Sequence, residues 1–402
     1  NGLEGWPQGE DIISKYACLM DVDTGAVLYD KDMNTTSYPA SITKLMTTLL
    51  TFENGNLDDV TAMGDEAVYW VQADSSSLWT VEGEEFTIDE LLRGTLIKSA
   101  NDMATQLGVY LGGDVASFAE MMNAKAAELG CRNTHFVNAC GMHDEDHYTS
   151  AYDMALIGKA NLAYDRFREI IAMESSSIEP TNMNEYYRSF DTHVKLIYDS
   201  DYYYDGILGG KTGYTDEAGN TLVTYAERNG RTLVCVTMMG DGVGNTASDH
   251  IQLLDYGFDH FENIELTDGT LATVPTGTAE DDLELRTTEA GTEEGSVTDS
   301  WYYSGQRVGS SMVTSEVSSQ IQENIAAAEL AAKNSLLEGI EHEELSEKPA
   351  NTGKGFTQIM DSLFSAEMNQ TAMIIICVLV ILILIMTLSI IVMLIKGRKR
   401  RQ

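Results

Sequence analysis

Basic side chains are scarce in this sequence: 25 against 63 acidic ones in 402 residues, a formal net charge of −38. Phosphate backbones are held by clustered Lys and Arg, so nucleic acid is excluded as a partner. Cysteine is scarce as well. Five are present, and no two have the C-x-x-C spacing of a zinc or redox site. Cys18 and Cys235 lie in apolar, strand-like runs and read as core residues. Cys131 and Cys140 are near enough to pair, but spacing does not fix connectivity. Internal repeats are lacking. No secretory leader opens the chain, which starts at Asn1, as a mature or trimmed exported chain would.

Long apolar runs are also missing, with one exception. Thr371 to Ile395 is uncharged and dominated by Ile, Leu, Val and Met. At about 1.5 Å rise per residue it spans a ~30 Å hydrocarbon core. The last seven residues, Lys396 to Gln402, hold five of the 25 basic groups and no acid. The positive-inside rule places this tail in the cytoplasm. The expected location is therefore a single-pass cell-membrane protein with everything before residue 370 on the extracytoplasmic side. Phe356, Ile359, Met360, Leu363 and Phe364 have the spacing of a short amphipathic helix at the membrane surface, or of a polar linker with incidental apolar residues.

Local signals order the rest. Tyr16–Val22 and Ala26–Asp30 read as strands around the turn residues Asp23-Thr24-Gly25. Thr87-Ile88-Asp89-Glu90 is a capping box ahead of the apolar run Leu91–Ile97. A helix over 115–129 ends at Gly130, a glycine cap, and 151–173 is helical. Two strand-like runs, 220–227 and 232–239, flank the hairpin dipeptide Asn229-Gly230, and a helix follows over 247–261. Strands at both ends with helices between them predict one α/β domain, its sheet assembled around a helical insert.

The chemistry starts at Pro39-Ala40-Ser41-Ile42-Thr43-Lys44. Proline is tolerated at a helix start, and i, i+3 positions share a face. Ser41 and Lys44 would then sit side by side at the head of a helix running to Leu50. A lysine can take the serine's proton there. Ser99-Ala100-Asn101 follows between two helices, and Lys211-Thr212-Gly213 follows in an apparent edge strand. S-x-x-K, S-x-N and K-T-G in this order mark serine acyl-transfer enzymes.

With these motifs the chain resembles the serine D-Ala-D-Ala carboxypeptidases, the low-molecular-mass penicillin-binding proteins, over roughly residues 10–262. Asp21-Val22-Asp23-Thr24-Gly25, Asn133-Thr134-His135-Phe136-Val137-Asn138 and Lys211-Thr212-Gly213-Tyr214-Thr215 carry the resemblance further. It implies a penicillin-binding, serine β-lactamase-like α/β fold: an antiparallel sheet flanked by helices, with a helical insert, plus a C-terminal transmembrane helix. With the change of composition after residue 265, the chain divides into a catalytic domain over 1–265, an acidic spacer or small β domain over 266–312, and a helical stalk and linker over 313–370. The transmembrane helix would be 371–395 and the basic tail 396–402.

The implied activity is removal of the terminal D-Ala from peptidoglycan stem pentapeptides through a serine acyl-enzyme, with β-lactams as inhibitors and no metal or cofactor. Ser41 would be the nucleophile, Lys44 the base and Ser99 the proton relay. Burial and the neighbouring Lys211 would both lower the pKa of Lys44. Asn101, Lys211, Thr212, Gly213, Tyr214 and Thr215 would bind substrate, which pairs as an added strand. The backbone N–H groups of Ser41 and Tyr214 would form the oxyanion hole. One departure stands out. The arginine the family often carries before the last helix of this domain is missing from Gly244-Asn245-Thr246-Ala247.

Three rivals have a basis in the sequence. His143-Asp144-Glu145-Asp146-His147 has an i, i+4 histidine pair, but its glycine and acid surroundings read as a loop rather than a zinc helix. A serine β-lactamase would carry Glu-x-x-x-Asn between the second and third motifs, and no such pair exists between Asn101 and Lys211. A non-catalytic penicillin-binding sensor or wall-binding protein would suit the membrane span, but the cytoplasmic tail is too short for an output domain.

Overall fold

The computed structural model describes residues 4–69, 75–199, 201–289 and 296–346. Its centre is a five-stranded antiparallel sheet. The strands are β1 (Tyr16–Asp21), β2 (Val27–Lys31), β3 (Ile207–Thr215), β4 (Gly219–Arg228) and β5 (Arg231–Gly240), in the order β2-β1-β5-β4-β3. The first two strands meet the last three through the β1–β5 pair, in which Leu19 faces Cys235. Some 175 residues of chain, 32–206, lie between the consecutive strands β2 and β3, the two edges of this sheet, the helical insert expected from the sequence. The Asn229-Gly230 hairpin closes β4 on β5, with both turn residues at positive φ, the geometry that favours this dipeptide.

Strand alternation builds two cores. Cys18, Met20, Val223, Tyr225, Val234 and Val236 face one side, and Ala17, Leu19, Leu222, Ala226, Leu233 and Cys235 face the other. The first side is covered by the insert: α1 (Lys44–Asn54), α2 (Ile88–Arg93), α3 (Asn101–Gly112), α4 (Val115–Glu128), α5 (Ala151–Asn161) and α6 (Asp165–Ile171). The stretch read as one helix over 151–173 is thus two, broken at Leu162. The region 56–86, expected as strands and loops, also holds a short helix, Asp65–Tyr69. The capping box at Thr87 forms as expected, with Glu90 N–H donating to Thr87 Oγ1 at 3.2 Å and Thr87 N–H to Glu90 Oε2 at 2.9 Å.

The second side is covered by α7 (Val243–His260). Strands Phe261–Glu265 and Leu271–Pro275 pair next, and Glu284–Glu289, Ser296–Tyr303 and Gln306–Thr314 form a three-stranded antiparallel sheet. Trp301 and Val308 of this sheet are buried in the second core. The last helix, α8, runs Ser315–Ser346. The described residues fall into two units divided after Ile325, the second being the continuation of α8.

Cys18, Cys131, Cys140 and Cys235 are free thiols, so the 131–140 pairing is not made. Among the described residues no helix is long and apolar enough to cross a membrane. The apolar run 371–395 and the amphipathic pattern at 356–364 lie outside the described residues.

Candidate active site

Ser41 does not open an α-helix. Ala40–Thr43 is a turn of 3-10 helix, and α1 starts at Lys44. The tighter turn keeps i and i+3 eclipsed, which places Lys44 Nζ 2.8 Å from Ser41 Oγ. The turn is clamped from three sides. Thr221 on β4 donates to Pro39 O at 2.9 Å. Gly213 on β3 lies so close that a Cβ there would come within 2.7 Å of Ser41 N. Gly141, at φ +85°, lies so close that a Cβ would sit 1.8 Å from Ala40 O. Ala40 itself is left-handed, φ +48°, a conformation that costs a non-glycine residue about 1–2 kcal/mol.

Lys44 is fully buried. Besides Ser41 it reaches Asn101 Oδ1 at 2.7 Å and the Cys140 carbonyl at 2.6 Å. Those two acceptors use two N–H bonds. A neutral amine then has its lone pair left for the Ser41 hydroxyl. Burial lowers the Lys44 pKa to about 8, partly opposed by Cys140 and Asp102. Lys211, also buried, donates to Ser99 Oγ at 2.7 Å and to Thr212 O at 2.6 Å. Its pKa is lowered well below the usual lysine value, first by burial and then by Lys44. The repulsion expected to act on Lys44 is thus expressed at Lys211, while burial alone carries the shift at Lys44.

Ser99 follows a π-turn, Gly94–Lys98, and is itself left-handed, φ +62°, which turns its hydroxyl toward Lys211. Asn101 opens α3 one residue after Ala100. Asp102 accepts from Ser77 Oγ, Thr80 Oγ1 and the Leu78 and Thr80 N–H groups, fastening residues 77–80 to α3.

A cavity of about 740 Å³ opens over this cluster. Ser41, Ser99, Asn101, Thr212, Gly213, Tyr214 and Thr215 line it, with Lys44 and Lys211 buried behind them. All nine residues singled out in the sequence are therefore brought together. Thr215 Oγ1 accepts from Ala218 N–H at 3.1 Å and keeps its own proton to donate. At the position of the missing arginine the cavity wall is Val243, Thr246 and Ala247, and Thr246 Oγ1 donates to Gly242 O.

Sequence reasoning missed three contributors. The Cys140 carbonyl has no side-chain signature. His147 is buried, accepts from Val137 N–H at Nδ1 and so holds its proton on Nε2 toward Thr43 Oγ1, 2.8 Å away. Both nitrogens of this member of the histidine pair are spent on the fold, and its pKa is pushed down to about 3 by burial. His193 lines the cavity and carried no motif. Among the described residues no group of three or more His, Cys, Asp or Glu side chains is placed to hold a metal.

Known proteins resemble this chain in sequence and fold. DacF, a D-alanyl-D-alanine carboxypeptidase of Bacillus subtilis, is 33% identical over 252 residues, 62% of this chain and 63% of DacF, so the match spans less than two thirds of that relative. The crystal structure of a D-alanyl-D-alanine carboxypeptidase from Mycobacterium tuberculosis superposes with TM-score 0.58 and 29% identity, covering 64% of this chain and 95% of that one. Penicillin binding protein 5 from Haemophilus influenzae shares the fold, with TM-score 0.64 at 24% identity over 77% of this chain and 98% of that one. Residues 5–242, more than half of the sequence, match the D-alanyl-D-alanine carboxypeptidase family, and the chain belongs to it.

Proposed function

We propose that this protein is a serine D-alanyl-D-alanine carboxypeptidase that removes the terminal D-Ala of peptidoglycan stem peptides. The observation that carries the reading is the contact of a buried lysine amine with Ser41 Oγ at 2.8 Å, its other two partners being carbonyl oxygens. Ser41 Oγ attacks the carbonyl carbon of the penultimate D-Ala while its proton passes to Lys44 Nζ. The backbone N–H groups of Ser41 and Tyr214 receive the developing oxyanion, worth about 3–4 kcal/mol per donor. Ser99 delivers a proton to the leaving nitrogen and is refilled with the one Lys44 took from Ser41, so the C–N bond breaks, D-alanine departs and Lys44 is neutral again. Water then attacks the ester, giving one proton to Lys44, which passes it to Ser41 Oγ as the ester bond breaks.

The lysine pair couples binding to this chemistry. Two ammonium groups repel, and a substrate carboxylate arriving near Lys211 favours holding the charge there. Lys44 is then left neutral, the state a base requires. β-Lactams would acylate the same serine and deacylate slowly.

The apolar run 371–395 would anchor the protein, with the stalk over 313–370, the basic tail 396–402 in the cytoplasm and the catalytic unit outside, facing the wall. Deleting residues 371–402 should move the protein from the membrane to the soluble fraction; retention in the membrane would refute the anchor. The activity is tested by incubating the ectodomain with a pentapeptide ending in D-Ala-D-Ala. Release of D-alanine, abolished by Ser41→Ala, is the expected result. Release that survives the substitution would overturn Ser41 as nucleophile, and penicillin labelling without release would favour a sensor.

A further inference from the structure

We infer that His193 recognises the terminal carboxylate of the substrate, a role for which the wall at Val243, Thr246 and Ala247 offers no basic side chain. The inference rests on the carboxypeptidase reading above and deepens it.

The site has a direction. In that reading the scissile carbonyl lies over the N–H groups of Ser41 and Tyr214, and the leaving nitrogen lies toward Ser99. Ser99 is bonded to Lys211, three residues back along β3 from Tyr214. The C-terminal residue of the substrate therefore points from Tyr214 toward Lys211 and past it. His193 stands at that end. It lies between strand Arg188–Asp191 and the short helix Lys195–Tyr198, and it senses the charges of both Lys211 and Lys98. It lines the reaction cavity and also a second cavity of about 690 Å³, whose wall includes Lys98.

The other basic side chains lining the reaction cavity are committed elsewhere. Lys195 is held by Asp199 at 2.6 Å and lies over the Tyr202 ring. His143 stands edge-on to Tyr38 and 4.0 Å from Glu217, which follows β3 beyond the Tyr214 end. His193 makes no hydrogen bond through either ring nitrogen among the described residues, and its residue is exposed into the cavity. Partial enclosure by the cavity wall, then Lys211 and Lys98, lower its pKa, with Asp191 opposing, so the resting imidazole is neutral and offers one N–H. A carboxylate placed between it and Lys211 accepts that N–H and favours uptake of a proton by the ring. Thr212 and Thr215 hydroxyls complete the cradle.

The test pairs a change in the protein with a change in the ligand. Diacetyl-L-Lys-D-Ala-D-Ala and its C-terminal carboxamide are compared, by release of D-alanine or D-alaninamide, in the wild type, His193→Ala and His193→Arg. The expected result is a rise in KM of roughly tenfold or more for the free acid in His193→Ala, the range of a hydrogen bond to a charged group. The carboxamide rate should stay the same, and His193→Arg should restore recognition of the acid. Equal losses on both substrates, no loss on the acid, or a wild type indifferent to the carboxylate would overturn the inference. A wild type that releases neither product would overturn the carboxypeptidase reading, and the inference with it.

Discussion

Two buried polar clusters lie on opposite faces of the same sheet, and they differ in what they can do. On the α1 face, Lys44 contacts Ser41, Asn101 and the Cys140 carbonyl. On the α7 face, His250 lies between Thr224 of β4, 2.7 Å from Nδ1, and Thr237 of β5, 2.9 Å from Nε2. Both groups are completely buried and both are hydrogen-bonded throughout. Burial pushes the His250 pKa to about 3, far below neutral pH, and neither threonine lines the reaction cavity. Burial brings Lys44 to about 8, and its partner Ser41 does line the cavity. Satisfied hydrogen bonds thus do not separate a working cluster from a structural one. What separates them is a titration within the working pH range and a partner that substrate can reach.

Lys44→Ala should produce the largest effect on the α1 face. Loss of the base is expected to reduce kcat/KM by about 10²- to 10⁴-fold, with the folded state retained as judged by circular dichroism. Near-normal turnover would remove the distinction between the clusters. On the α7 face, His250→Ala should cost roughly 2–4 kcal/mol of stability, because two buried hydroxyls lose their partner. The rate per folded molecule should not change, and urea titration beside active-site titration separates the two quantities.

The same histidine gives a pH signature. Its usual pKa of 6.5 falls to about 3 on folding, so between these values the unfolded chain holds a proton that the folded chain refuses. Stability therefore falls as pH falls through that window, and His250→Ala should fall less steeply. The smallest effect is the wild-type rate profile. With a base of pKa about 8, kcat/KM should rise about tenfold from pH 7 to its plateau. A flat profile between pH 6 and 9 would mean that Lys44 is not the titrating base.

The sequence made side-chain chemistry legible and backbone chemistry not. Ser41, Lys44, Ser99, Asn101 and Lys211 could be grouped because each carries a functional side chain at a family spacing. The two halves of the sheet were readable from apolar alternation and from Asn229-Gly230. The Cys140 carbonyl could not be found that way, because any residue has one. The 3-10 turn at Ser41 also escaped, since it is imposed by tertiary clamps: β3 at Gly213 and the loop at Gly141, both far downstream in the chain, press on residues 40 and 41. The strands between Glu284 and Thr314 gave a weak signal because many of their positions are Thr, Ser, Glu and Gln. Only Trp301 and Val308 of that sheet are fully buried hydrophobic residues, too few for a clear period-two pattern. His193 had no motif, and its interest arises only from the wall it occupies.

The central claim is that Ser41, set against a lysine whose pKa burial lowers to about 8, is the acylated nucleophile. A mass spectrum of the benzylpenicillin-treated ectodomain, followed by peptide mapping, tests it most directly. The account predicts one penicilloyl group per chain, carried on the peptide containing Ser41 and missing from Ser41→Ala. An unmodified chain, or an adduct on any other residue, would contradict it.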